Sequence, residues 1–236
     1  MLKVEQVIRG WYSQPPAATQ SLVNRLADER SKRVVFLSHC LLNENVRYLG
    51  GATRAGVVQE VLDRYTSEGI GIYQMPCPEQ RVWGGVLKRR MARLYGMGLL
   101  LWPPACRSVV AMARWWTTLA YRRIARQVAA DIQDYLGSDF EVVEIVGVGA
   151  SPSCGVLTTL DLYQAVHNMA RCDPFSVDRS TVNDIVVARS VIAGSGMFTN
   201  ALRHQLARRG IEVEFTEHDL LGELRNAQAV ASKRLS

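Results

Sequence analysis

The stretch RVVFLSHCLLNENVRYLGGATRAGVVQEVLDRYTSEGIGIYQMPC, residues 33–77, decides the fold. Val34-Val35-Phe36-Leu37-Ser38 is an unbroken β-type run, the pattern of a strand buried on both faces. Gly50-Gly51 breaks the loop behind it. Val57, Val58, Val61, Leu62 and Tyr65 then recur at helical spacing, and Gly69 ends that helix. Gly71-Ile72-Tyr73-Gln74-Met75 reads as a second strand. Strand, loop, helix, strand over about forty residues is a βαβ unit, which is nearly always right-handed.

The same alternation returns later. Val142 to Val148 reads as a strand that runs into Ser151-Pro152-Ser153-Cys154-Gly155. Ile185 to Ala193 is a β-rich run. Met197 to Arg209 is a helix capped by Gly210, and Ile211 to Phe215 is a last strand. Residues 83–137 interrupt the rhythm. From Val109 to Leu136 the positions Val109, Met112, Trp116, Leu119, Ile124, Val128, Ile132 and Tyr135 follow the 3.6-residue period of one long amphipathic helix closed by Gly137. Upstream, residues 1–32 read as a helical extension, broken at Pro15-Pro16 and resuming from Thr19 to Glu29. The expected architecture is α/β: a doubly wound, mainly parallel, Rossmann-like sheet over residues 33–236, with a helical insert at 83–137.

Composition bounds the function. The chain has 236 residues, 48% hydrophobic and 21% charged, which is ordinary globular composition. Leu99-Leu100-Leu101-Trp102 stops at Pro103-Pro104, far short of the ~20 residues of a spanning helix. Glu5 sits where an export signal needs an apolar core, so the expected compartment is the cytoplasm, where thiols stay reduced. The net charge of +6 is uneven. Arg81, Lys88, Arg89, Arg90, Arg93, Arg107, Arg114, Arg122, Arg123 and Arg126 contribute +10 to residues 81–130, which carry no acid, leaving −4 for the rest. Such a block suggests an anionic partner, a nucleotide or RNA; a solvated face is the plain alternative.

The five cysteines form no CxxC pair and no zinc-finger spacing. Three share a context. Cys40 follows the strand VVFLS, Cys77 follows GIYQM, and Cys154 follows VVEIVGV. In an open α/β sheet the carboxyl ends of strands gather along one edge, where ligands bind. Pro76 and Pro78 flank Cys77, and Pro152 and Gly155 flank Cys154. Three thiolates without a matched histidine suit zinc or an iron–sulfur cluster, and three buried free thiols remain the alternative. Cys106 and Cys172 lie away from strand ends.

Three segments carry a resemblance: Ser38-His39-Cys40-Leu41-Leu42-Asn43-Glu44-Asn45-Val46-Arg47-Tyr48, Pro76-Cys77-Pro78-Glu79, and Ser151-Pro152-Ser153-Cys154-Gly155. In order and approximate spacing they resemble the signature segments of the thiouracil desulfidase (TudS-type) family, over roughly residues 33–83 and 138–160. The segment from Gly194 to Asp219 is similar to that of the longer, related desulfidases. The resemblance implies a [4Fe–4S] cluster held by Cys40, Cys77 and Cys154, with the fourth iron open to take sulfur from a thiolated base. There are departures. The family's first motif usually continues Arg-Tyr-Asp-Gly-Gly, whereas Leu49 stands in the aspartate's place here. Asn43 replaces the usual glycine. The basic insert occupies the place of a Pro-Arg segment.

Beside the cysteines, Glu79 is the candidate acid/base group. Ser151 and Ser153 are candidates to hydrogen-bond substrate or cluster sulfur, or to shape the turn. Glu44 and Arg47 suit a supporting ion pair or an anion site. His39 is expected to face away from Cys40. Gly194-Ser195-Gly196, ahead of a helix, suits a backbone phosphate cradle. Two function classes follow. One is an enzyme releasing sulfide from a small thiolated substrate without net redox change. The other is a non-catalytic cluster-bearing binding or sensing protein that docks on RNA through the basic insert.

Overall fold

A computed structural model describes residues 21, 24–93, 98–173 and 175–233. Chain contacts divide the molecule into residues 1–31 and 32–236. In the first unit Asn24 and Arg25 are helical. The expected helical extension over residues 1–20, with its break at Pro15-Pro16, lies outside the described residues. The rest concerns the second unit.

Four strands form a parallel sheet: β1 (Arg33–Leu37), β2 (Gly71–Gln74), β3 (Glu141–Val148) and β6 (Phe215–His218), in the order β2-β1-β3-β6. Helices cover both faces. On one, α5 (Pro103–Gly137) and α7 (Met197–Ala207) bury Tyr121, Val128, Ile132, Phe198 and Leu202 against Phe36 and Ile145. On the other, α2 (Gln59–Thr66) and α8 (Leu220–Lys233) bury Val61, Tyr65, Leu220 and Leu224 against Val35 and Leu37. This is why VVFL carries no polar alternation: both faces of β1 are core, and each large side chain buried there contributes about 1.5–3 kcal/mol. The α/β, mainly parallel, doubly wound architecture read from the sequence is the one observed.

Short elements complete the strand ends: α1 (His39–Leu42) after β1, α3 (Pro78–Val82) after β2, and α4 (Arg89–Ala92) at the start of the insert. A two-stranded antiparallel ribbon, β4 (Thr158–Leu160) with β5 (Val191–Ala193), flanks α6 (Leu162–Ala170).

Three expectations need correction. The β-rich run Ile185 to Ala193 is a π-helical segment (Thr181–Val187), then a 3-10 turn, and only its last three residues are strand. A short apolar Val/Ile run does not by itself separate strand from buried helix. The last strand lies at Phe215–His218, later than Ile211 to Phe215. The inward face of α5 is also rotated in its first half. Val110, Thr117, Tyr121 and Ala125 are buried, while Met112, Trp115, Trp116 and Leu119 are exposed. Arg114, Arg122, Arg123 and Arg126 are exposed, as expected.

Candidate functional site

The carboxyl ends of β1, β2 and β3 open onto a cavity of about 260 Å³. Cys40, Cys77 and Cys154 all line it, with Arg47, Tyr48, Glu79, Lys88, Ser151 and Ser153. Each cysteine is fixed by its local backbone. Cys77 is the N-cap of α3, its Sγ accepting from the Gln80 N–H at 3.4 Å, and Pro78 fills the first helical turn where a missing N–H does no harm. Cys154 sits in a loop folded back onto β3, where the Val148 N–H donates to its carbonyl at 3.1 Å. That return passes over Gly147, where a Cβ would overlap the Cys154 carbonyl; only glycine fits.

The loop is held from two other sides. Glu217 Oε2 on β6 accepts the N–H groups of Val156, Leu157 and Thr158 at 2.7, 2.7 and 3.0 Å. Burial works against the Glu217 charge, but these donors and the Thr158 hydroxyl hold its pKa below the usual range. From the opposite side, the first N–H groups of α7 donate to the loop: Met197 to the Pro152 carbonyl at 2.9 Å, Phe198 to that of Ser153 at 3.0 Å. Gly196 packs directly on the Ser153 backbone. Gly194-Ser195-Gly196 therefore buttresses the Cys154 loop. It is not a free phosphate cradle, because the helix's leading donors already have partners.

Burial is the main reason the three thiols are pushed above their ordinary range: Cys40 upward, Cys77 to about 12, and Cys154 well up. Cys40 and Cys77, which line the same cavity, add to the upward push on Cys154. Without a metal these thiols are protonated and unreactive at neutral pH; a bound cationic centre would draw them to thiolates. Of the three sulfurs, that of Cys77 accepts a hydrogen bond, from the Gln80 N–H. The Ser38 hydroxyl is buried without a hydrogen-bond partner. Among the described residues no group of three or more His, Cys, Asp or Glu is arranged to hold one metal ion. The cavity wall offers three thiols and no imidazole, a donor set that suits zinc or an iron–sulfur cluster.

Glu79 stands beside the cysteines in a relay of buried groups. Its Oε1 accepts from Ser153 Oγ at 3.0 Å, and the Tyr121 hydroxyl lies 2.9 Å from the same Oγ. Since Ser153 gives its proton to Glu79, Tyr121 donates to Ser153. On the other oxygen, Lys88 Nζ lies 3.1 Å from Glu79 Oε2 and donates to the Val46 carbonyl at 2.7 Å. Ser151 is used differently: its Oγ accepts from the Cys154 and Ser153 N–H groups at 3.0 and 3.3 Å and shapes the turn. Glu44 is fully buried and bonded to the Thr53 and Arg54 N–H groups, with Arg47 at 3.3 Å. Arg47 also binds Glu223 Oε2 at 2.8 Å, yet its Nε and Nη2 are buried without a partner. His39 lines a separate open groove with Tyr73, Arg81 and Asp131, where burial holds its pKa below the usual value.

A family model described as 2-thiouracil desulfurase matches residues 35–214. The chain belongs to the 2-thiouracil desulfurase family. No curated protein and no solved structure matches it. Read as a member of this family, the chain brings together all three motif cysteines, Glu79 and Ser153, and places Leu49 at the cavity wall. Cys106 is not in that wall; it is buried in a separate apolar cluster with Leu100 and Val110, and Cys172 bonds back onto its own turn. Of the ten basic residues between 81 and 130, only Lys88 lines the cavity, and its charge is matched by Glu79. Lys88, Tyr121 and Glu217 were not singled out in the sequence. Lys88 lay unmarked within a basic block, Tyr121 within a helical period, and Glu217 beyond the expected end of the last strand.

Proposed function

We propose that this chain is a desulfidase that removes sulfur, as sulfide, from a small thiocarbonyl compound, using a [4Fe–4S] cluster held by Cys40, Cys77 and Cys154. The observation that carries this reading is the meeting of three strand-end cysteines and a hydrogen-bonded carboxylate around one cavity in a member of a desulfurase family. The bound cluster would supply an open iron, a Lewis acid with affinity for sulfur.

The chain's own residues do the rest. The cavity walls exclude bulk water and orient the thiocarbonyl. Glu79 accepts a proton from the attacking water, whose oxygen forms a bond to the thiocarbonyl carbon. The carbon–sulfur bond then breaks, the sulfur keeping its electron pair. Glu79 returns that proton to the departing sulfur, then takes the second from the new hydroxyl as the carbonyl forms and passes it to the sulfide. Water and thiocarbonyl give carbonyl and hydrogen sulfide, so atoms balance and no electron is gained or lost. Ser153 and Tyr121 fix the Glu79 carboxylate through Oε1, and Lys88 fixes it through Oε2.

The test is turnover of 2-thiouracil by anaerobically reconstituted protein with no electron donor present. Stoichiometric uracil and sulfide are expected. An absolute need for a reductant in every turnover rules the mechanism out.

A further inference from the structure

The cavity wall is of two kinds. The cysteines, Glu79, Lys88 and Arg47 supply its polar and charged part. Leu160, Val166, Met169 and Ala170 of the ribbon and α6, and Val182 and Val186 of the π-helical segment, supply an apolar chamber wall. Leu49 and Leu87, both more than half exposed, add apolar surface to the wall. The chamber is held over the site by specific bonds: Tyr48 donates to Asn183 Oδ1 at 2.9 Å, and Asn183 Nδ2 donates to the Gly50 carbonyl at 3.3 Å. A π-helical turn at this place is a local irregularity of the kind found at binding sites.

The charged part offers nothing to a phosphate. Lys88 is matched by Glu79, and Arg47 by Glu44 and Glu223. A phosphate dianion would add uncompensated negative charge to a buried site already in balance. An uncharged ring leaves that balance intact.

From this lining we infer that the substrate is an uncharged thiolated heterocycle bearing an apolar substituent, which packs against the apolar wall supplied by α6 and the π-helical segment. This rests on the desulfidase reading for its chemistry and goes beyond it in selecting the substrate. It gives no part in the site to the insert's cations other than Lys88, which do not line the cavity.

The experiment compares 2-thiouracil, its methyl, ethyl and propyl derivatives at ring carbon 5 or 6, and 2-thiouridine 5′-monophosphate on the reconstituted protein. At one of the two ring positions kcat/KM should rise roughly three- to fourfold per methylene, hence about thirtyfold or more from hydrogen to propyl. The monophosphate should be the poorest substrate. Ala170→Phe, which fills the chamber, should abolish the alkyl preference; Met169→Ala, which enlarges it, should move the optimum to a longer chain. Equal rates across the alkyl series at both positions, or a preference for the monophosphate, overturns the inference. If none of these compounds releases sulfide, the desulfidase reading fails. The chamber is then tested by calorimetric binding of uracil against its propyl derivatives: tighter propyl binding supports it, and equal binding overturns it.

Discussion

Two sets of cations in this molecule meet opposite fates. Arg47 and Lys88 are buried at the cysteine cavity, each against carboxylates: Glu44 and Glu223 for Arg47, Glu79 for Lys88. Arg114, Arg122, Arg123 and Arg126 stand exposed on α5, beside exposed Met112, Trp115 and Leu119. By residue type the two sets look alike, and Lys88 even belongs to the same basic block. The difference is the partner. A buried charge persists only where the fold supplies an opposite charge and hydrogen bonds, whereas a surface arginine needs only water. Basic residues near a motif therefore do not by themselves define an electropositive site.

The comparison can be broken first in the buried network, where effects are largest. Glu223 accepts from His218, Arg47 and Arg54. Burial pushes its pKa up, but His218 and Arg47 outweigh burial and hold it at about 2, against an ordinary 4.5. A depressed folded pKa contributes stability that is present above the unfolded value and is lost as pH falls through the folded one. Stability should therefore drop between about pH 4.5 and pH 2, by about 2 kcal/mol from this group after allowing for solvent at the Arg54 edge. Glu217 acts in the same direction. Urea unfolding of wild type and Glu223→Gln across this window checks it. The variant should be less stable at pH 7 and lose part of the acid slope; an unchanged slope would remove Glu223 from the network.

Next is the carboxylate that Lys88 and Ser153 hold. Glu79→Gln keeps the size and most hydrogen bonds but removes the base. Turnover should fall ~10²-fold or more with the cluster's visible spectrum unchanged. Full activity in the variant would assign Glu79 to structure alone.

The smallest effect belongs to the exposed set. Arg122→Glu with Arg123→Glu should shift stability by less than about 0.5 kcal/mol per site and leave kcat/KM for a neutral thiolated base unchanged at any salt concentration. A loss of activity that salt mimics would return the helix to the active site.

How far the sequence could be read follows the same division. The strands carrying Cys40, Cys77 and Cys154 were legible because a doubly covered sheet demands unbroken β-type runs, and because motif residues cluster where those runs end. The apolar chamber was not. Val186 and Val187 read as strand, since a β-branched run has no period to reveal a π-helical turn. The inward face of α5 was misjudged for a related reason. Ala125 and Ala129 are small, and they are buried in the core that α5 shares with α7, while larger Met112 and Leu119 are left outside. A hydrophobic period weighted by size misses a helix that packs through its small residues.

The central claim is that three particular cysteines hold one cluster, and anaerobic reconstitution of single alanine variants tests it most directly. Wild type, Cys106→Ala and Cys172→Ala should all take up about four irons per chain and show the same broad visible charge-transfer band. Cys40→Ala, Cys77→Ala and Cys154→Ala should each lose that band. Equal bleaching of Cys106→Ala and Cys77→Ala, or a colourless wild type, would contradict the account.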